Sequence, residues 1–143
     1  MYSLGTTSIE KLYTCHNDLV RIIELAITLS KIDFGVAEGH RTVAKQQEYY
    51  KQGKSKVDGV TTKGKHNYEP SLAVDIYAYV NGKASWEVSH LSYIAGVIMT
   101  CAEILYKQGA ITHRLRWGGN WDCDGEIITD QLFVDSPHFE LIM

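Results

Sequence analysis

Proline is scarce in this chain, with only two in 143 residues, and cysteine is almost as rare, with three. So few prolines, and no Pro/Gly/Ser stretch, leave no sign of a linker, and residues 1–143 read as a single domain. Cys15, Cys101 and Cys123 are odd in number, far apart and without a CxxC pair. That excludes a disulfide framework and suits a chain folded in a reducing compartment. There is no excess of basic charge either: the formal net charge is −3. Nucleic acid is therefore not expected as a partner, because phosphate binding needs clustered Lys and Arg. The first residues, MYSLGTTSIEKLYTC, lack a basic stretch followed by an apolar run, so no signal peptide is expected. No apolar run looks long enough to cross a bilayer, so no stable membrane association is expected.

What is present is the composition of an ordinary soluble domain, 45% hydrophobic and 22% charged. At this length a chain buries enough apolar surface to fold without staples. Thr7 and Glu10 form a candidate capping box for a first helix, and Asn17 is a candidate cap for a second. Leu19, Ile22, Ile23, Ala26 and Leu29 recur at helical spacing and predict one buried stripe. Phe34 to Ala37 reads as a short strand, and Thr42 to Gln52 as a helix stopped by Gly53. Residues 53–65, rich in Gly and Lys, read as a mobile loop. Leu72 to Tyr79 alternates and predicts a strand, followed by an Asn81-Gly82 hairpin turn. Ser89 to Gln108 predicts a long helix closed by Gly109, with Cys101 in its core stripe. Strands are expected around Leu115–Trp117 and near Phe133 and Phe139. This order gives an α+β fold.

Three segments offer metal-ligand types: His66, Asp75 at the heart of LAVDIYAYV, and His138 in SPHFEL. A catalytic zinc takes three protein ligands and leaves its fourth position to water. A lone histidine is more often a surface or core residue. A carboxylate inside an apolar strand says more, because burying it is costly unless a cation or donors receive it. Asp135, three residues before His138, could serve the same centre as a base. Spacing alone leaves both a metal site and ordinary structural histidines open. In Arg41–Lys65, seven basic residues face Glu48 and Asp58. This is either a solvated lysine-rich surface or one that attracts an anionic polymer.

The stretches CHNDLV, DFGVAEGHRTVAKQQEYYKQGKS, KH…AVD, RWGGNWD and DSPHFEL run in order along the chain. Together they resemble the zinc D-Ala-D-Ala carboxypeptidase and L-alanyl-D-glutamate endopeptidase family, and within it the single-domain phage endolysins. The resemblance implies a small zinc peptidase with a short antiparallel sheet packed against helices and no separate cell-wall-binding domain. It implies that His66, Asp75 and His138 bind Zn2+, that Asp135 is the catalytic acidic residue, and that Arg41 faces the substrate. Gln46 matches a recurrent polar position and is a supporting candidate for substrate binding. The implied substrate is the peptidoglycan stem peptide, with cleavage expected between L-Ala and D-Glu. A monomer is expected, made in the host bacterial cytoplasm and released to the wall at lysis. Two rivals stand beside this reading: a D-Ala-D-Ala carboxypeptidase, and a zinc-stabilised binding module without catalysis. One departure is plain. The family reads His-x-x-Gly-x-Ala-x-Asp, whereas two further residues separate His66 from Asp75 and Ser71 stands at the glycine position.

In GGNWDCDGE, Asn120, Asp122 and Asp124 alternate as oxygen donors ahead of Gly125, a pattern shared by Ca2+ loops and exposed acidic turns. Gln131 stands where such a loop needs a bidentate Glu. Trp117 and Trp121 read as packing residues or cleft walls. His16, His40, His90 and His113 carry no partner pattern, and His40 is a candidate cleft residue beside Arg41.

Overall fold

A computed structural model describes residues 1–121, 123 and 134–143. Among the described residues four helices, α1 (Thr6–Leu12), α2 (Asn17–Leu29), α3 (Val43–Lys51) and α4 (Val88–Lys107), accompany five strands. The strands are β1 (Asp33–Glu38), β2 (Ala73–Val80), β3 (Lys83–Ser85), β4 (Arg114–Gly118) and β5 (Asp135–Ile142). They form one antiparallel sheet in the order β1-β2-β5-β4, with β3 paired to the far end of β2. The strand expected near Phe133 lies outside the described residues.

Alternation along the strands decides what each face of the sheet does. Val74, Ile76, Phe139, Leu141, Leu115 and Trp117 point to one side and are buried in a single core with α2 and α4. Burying one side chain of this size contributes roughly 1.5–3 kcal/mol. The intervening residues, Asp75, His138, Glu140 and Arg116, belong to the other side. In α2 the expected stripe is buried through Ala26, whereas Leu29 is exposed at the last turn. Asn81 and Gly82 both take positive φ, as the expected hairpin turn requires, and join β2 to β3. Gly53 and Gly109, also at positive φ, end α3 and α4.

Three local expectations are corrected. The capping box on Thr7 does not form; α1 is capped by Gly5 without a side chain. The cap of α2 is His16 rather than Asn17, with Nδ1 accepting from the Asp18 N–H at 3.0 Å. The reason is tertiary: the His16 N–H is tied to the Ser71 carbonyl, which fixes where the helix starts. Third, α4 is long and apolar enough to cross a membrane by length and composition. It packs here as a core helix, with Leu91, Ile94, Ala95, Ile98, Cys101 and Ala102 buried against α2 and the sheet.

His16 and His113, which had no partner in sequence, meet at Asp18. Asp18 Oδ2 accepts from the backbone and hydroxyl of Thr112 and from the backbone and Nδ1 of His113, the last at 2.8 Å. Burial raises the Asp18 pKa, but these donors outweigh it and lower it. The three side chains lie close enough to hold a metal. Through these hydrogen bonds Asp18 fastens the chain before β4 to the start of α2. His90 pairs with Ser85 at 2.7 Å.

Candidate active site

The site lies on the sheet face opposite α2 and α4, in a cleft of about 600 Å³ that α3 also lines. Register builds it. Asp75 of β2 stands directly opposite His138 of β5, and Glu38 of β1 faces Asp75 from the other side across a bulge. His66 enters from a short 3₁₀ turn, Lys65–Asn67. The two further residues before Asp75 do not displace it. Arg41 N–H donates to the His66 carbonyl at 2.8 Å, and Asn67 Nδ2 returns a bond to the Arg41 carbonyl at 3.0 Å. Ser71 at the other end of the loop is pinned between Thr14 and His16.

His66 Nε2 lies 3.2 Å from Asp75 Oδ1 and 3.2 Å from His138 Nδ1, and His138 Nδ1 lies 3.0 Å from Asp75 Oδ1. The outer nitrogens are both occupied. His66 Nδ1 donates to the Gly39 carbonyl at 2.7 Å, and His138 Nε2 meets Glu140 Oε1 at 2.9 Å. A carbonyl and a carboxylate only accept, so each of these nitrogens carries a hydrogen and the lone pairs of the other two turn inward. Gly39 permits this closeness, since a Cβ there would collide with the Lys11 carbonyl and the Thr14 hydroxyl. Three inward atoms at this spacing fit a metal. Ligands at about 2.0–2.1 Å in a tetrahedron lie roughly 3.3–3.5 Å apart.

The electrostatics agree. Burial raises the Asp75 pKa, but hydrogen bonds from His138 and His66 reverse this and hold it far below the usual range. Burial lowers that of His138, yet Asp75 and Glu140 push it up to about 10. The same inward arrangement that favours a proton on His138 favours a metal cation in its place. Asp135 Oδ2 sits 4.0 Å from His138 Nδ1, on the inward side. Burial, then the charge of Asp75, raises its pKa. Its backbone is clamped by the WGG run. The Trp117 indole donates to the Ser136 carbonyl at 2.7 Å, and a Cβ at Gly118 would strike the Asp135 carbonyl.

Arg41 lines the cleft, but most of its fork is spent inside the protein. Its Nε and one terminal nitrogen bind Glu38 Oε1, the other terminal nitrogen binds Gln46 Oε1 at 2.8 Å, and the guanidinium lies 4.7 Å from the Tyr49 ring centre. Gln46 is buried rather than solvent-facing, and its Nε2 donates to Ser55 and to the Val57 carbonyl. Gln46 thus ties Arg41 to the 53–65 loop, where Asp58 Oδ1 accepts from three successive backbone N–H groups. Arg41→Lys should keep the fold and metal uptake yet lose roughly tenfold or more in rate, the worth of one charge-assisted hydrogen bond. Turnover and metal content measured on one preparation check this, and a wild-type rate would reduce Arg41 to a scaffold charge.

Glu38, Glu140 and Arg116 were not found from the sequence. Glu140 was signalled only by standing two residues after His138 in a strand, hence on the same face. Trp86 and Trp121 line the cleft and Trp117 belongs to the core, while His40 is not among the lining residues. Of the candidate calcium loop, the Asn120 carbonyl accepts from Cys123 N–H at 3.2 Å, and Asp122 and Asp124 lie outside the described residues.

Comparison with known proteins places this geometry in context. The family model described as "Phage L-alanyl-D-glutamate peptidase" matches residues 1–142. An L-alanyl-D-glutamate peptidase of Escherichia phage T5 is 28% identical over 144 residues, covering 99% of this chain and 98% of the relative. The peptidoglycan L-alanyl-D-glutamate endopeptidase CwlK of Bacillus subtilis is 30% identical over 119 residues, covering 78% of this chain and 62% of that protein. Among solved structures, the L-Ala D-Glu endopeptidase ChiX of Serratia marcescens superposes with a TM-score of 0.74 at 32% identity, covering 98% of this chain and 90% of its own.

Proposed function

From the chain's membership of the phage L-alanyl-D-glutamate peptidase family, we propose that it hydrolyses the L-alanyl-D-glutamate bond of the peptidoglycan stem peptide as an endolysin, with zinc held by His66, Asp75 and His138. The observation that carries this reading is the convergence of three inward lone pairs, 3.0–3.2 Å apart, with a fourth acidic group beside them. Zinc bound there supplies Lewis acidity to the carbonyl under attack. Asp135 accepts a proton from the attacking water and returns it to the leaving nitrogen of D-Glu. Arg41, held between Glu38 and Gln46, presents positive charge to the substrate's carboxylates or to the developing oxyanion. The lysines of the cleft, among them Lys45, Lys54 and Lys65, make that side favourable for an anionic peptide. Synthesis in the host cytoplasm and action on the wall at lysis follow from the same reading.

The named relatives favour this bond over the D-Ala-D-Ala bond. Asp135 argues against a binding module without catalysis, since a structural metal needs no spare carboxylate. Mass spectrometry of peptides released from purified peptidoglycan is the test. New N-terminal D-Glu is expected, and release of free D-Ala alone would move the assignment to a carboxypeptidase.

A further inference from the structure

Glu140 plays no part in the chemistry described so far, yet it is almost completely buried, at 6% exposure. It touches His138 on the nitrogen that faces away from Asp75, with Oε1 at 2.9 Å from Nε2. Its other oxygen, Oε2, accepts from Arg116 at 2.8 Å. Arg116 stands directly opposite Glu140 in the β4–β5 register, so the pair is built into the sheet. Arg116 also reaches toward the cleft wall, its guanidinium 5.3 Å from the Trp121 ring centre.

We propose that Glu140, held by Arg116, is a positioning residue that commits His138 to binding the metal through Nδ1. This rests on the reading that His66, Asp75 and His138 form a zinc site. An imidazole without an outer partner exchanges its proton between two nitrogens and rotates about χ2. One whose Nε2–H is fixed on a carboxylate keeps Nδ1 free and aimed inward, and donates more strongly. His66 needs no such carboxylate, because the Gly39 carbonyl does the same for its Nδ1. Arg116 adds what a lone glutamate could not. By pairing Oε2 it offsets a buried charge and stops the carboxylate from swinging toward the metal as a competing ligand. The two sides of the centre thus use different devices, a backbone carbonyl for one histidine and a buried ion pair for the other.

The test is zinc affinity by chelator competition, paired with 15N shifts of the His138 ring in the zinc-loaded full chain. Wild type should show a protonated Nε2 and a metal-shifted Nδ1. Glu140→Leu should lose on the order of 10–100-fold in zinc affinity and, when zinc-loaded, lose the strongly hydrogen-bonded Nε2–H signal. Glu140→Gln keeps an acceptor for Nε2–H and should recover much of the affinity that Glu140→Leu, of similar volume, loses, a difference a purely space-filling role would not predict. Arg116→Met should fall between wild type and Glu140→Leu. Should Glu140→Leu fail to fold, Arg116→Met, which removes the partner of Glu140 Oε2, still decides the matter. Wild-type affinity and an unchanged Nε2–H signal in Arg116→Met, or in a folded Glu140→Leu, would overturn the proposal and leave the zinc site standing. A wild-type chain that takes up no zinc would overturn both.

Discussion

His66→Ala, Asp75→Ala and His138→Ala are each expected to lose bound zinc and with it all measurable lysis. Each removes one of the three ligands proposed for the ion, and an open site left with two is too poor to hold it against water. Asp75→Ala should be the most severe. Its Oδ1 touches both imidazoles, and without it two buried rings whose facing nitrogens lie 3.2 Å apart lose the carboxylate they share. In His66→Ala, the Arg41 N–H bond to the backbone of residue 66 survives, so the 3₁₀ turn should persist and the loss should fall on the metal alone. Elemental analysis of the purified variants, with melting curves to show that they fold, is the measurement. Full zinc occupancy in folded His66→Ala would mean that the ion is held by other residues.

Asp135→Ala is expected to do the opposite: keep its zinc and its fold, and lose on the order of 10²–10⁴-fold in rate, the usual worth of one acid–base group. The geometry separates this role from that of orienting a ligand. A carboxylate that orients His138 must sit on Nε2, and Glu140 already occupies that position at 2.9 Å. Asp135 instead approaches from the Nδ1 side at 4.0 Å, the side on which the proposed zinc and its water would lie. Its own anchoring is backbone, through Trp117 and the close packing of Gly118, so truncating the side chain leaves the strand intact. Asp135→Glu should keep part of the rate, because the chemistry stays and only the reach changes. Zinc affinity and turnover measured on the same sample distinguish the outcomes. Activity restored by excess metal would make Asp135 a support for the ion rather than a base.

The sequence by itself determined the helices α2 and α4, the hairpin at Asn81-Gly82 and the glycine stops at Gly53 and Gly109. These depend on periodicity and on φ, which neighbouring residues settle among themselves. It also marked Asp75, since a carboxylate inside an apolar alternation has to be received by something. The assignment of His66, His138 and Asp135 as a set came from the resemblance, because single residues so far apart carry no local signature. Only the tertiary structure decided which atoms meet. The pairings Asp75–His138 and Arg116–Glu140 are cross-strand registers between segments some 24 to 63 residues apart. Nothing local distinguishes Glu140 as a buried partner from a surface glutamate. Nor does helical spacing show that Gln46 turns inward to Arg41, or that His16 rather than Asn17 caps α2. Those outcomes follow from where the sheet and the Ser71 loop place the chain, and long polar side chains take the partners that burial leaves within reach.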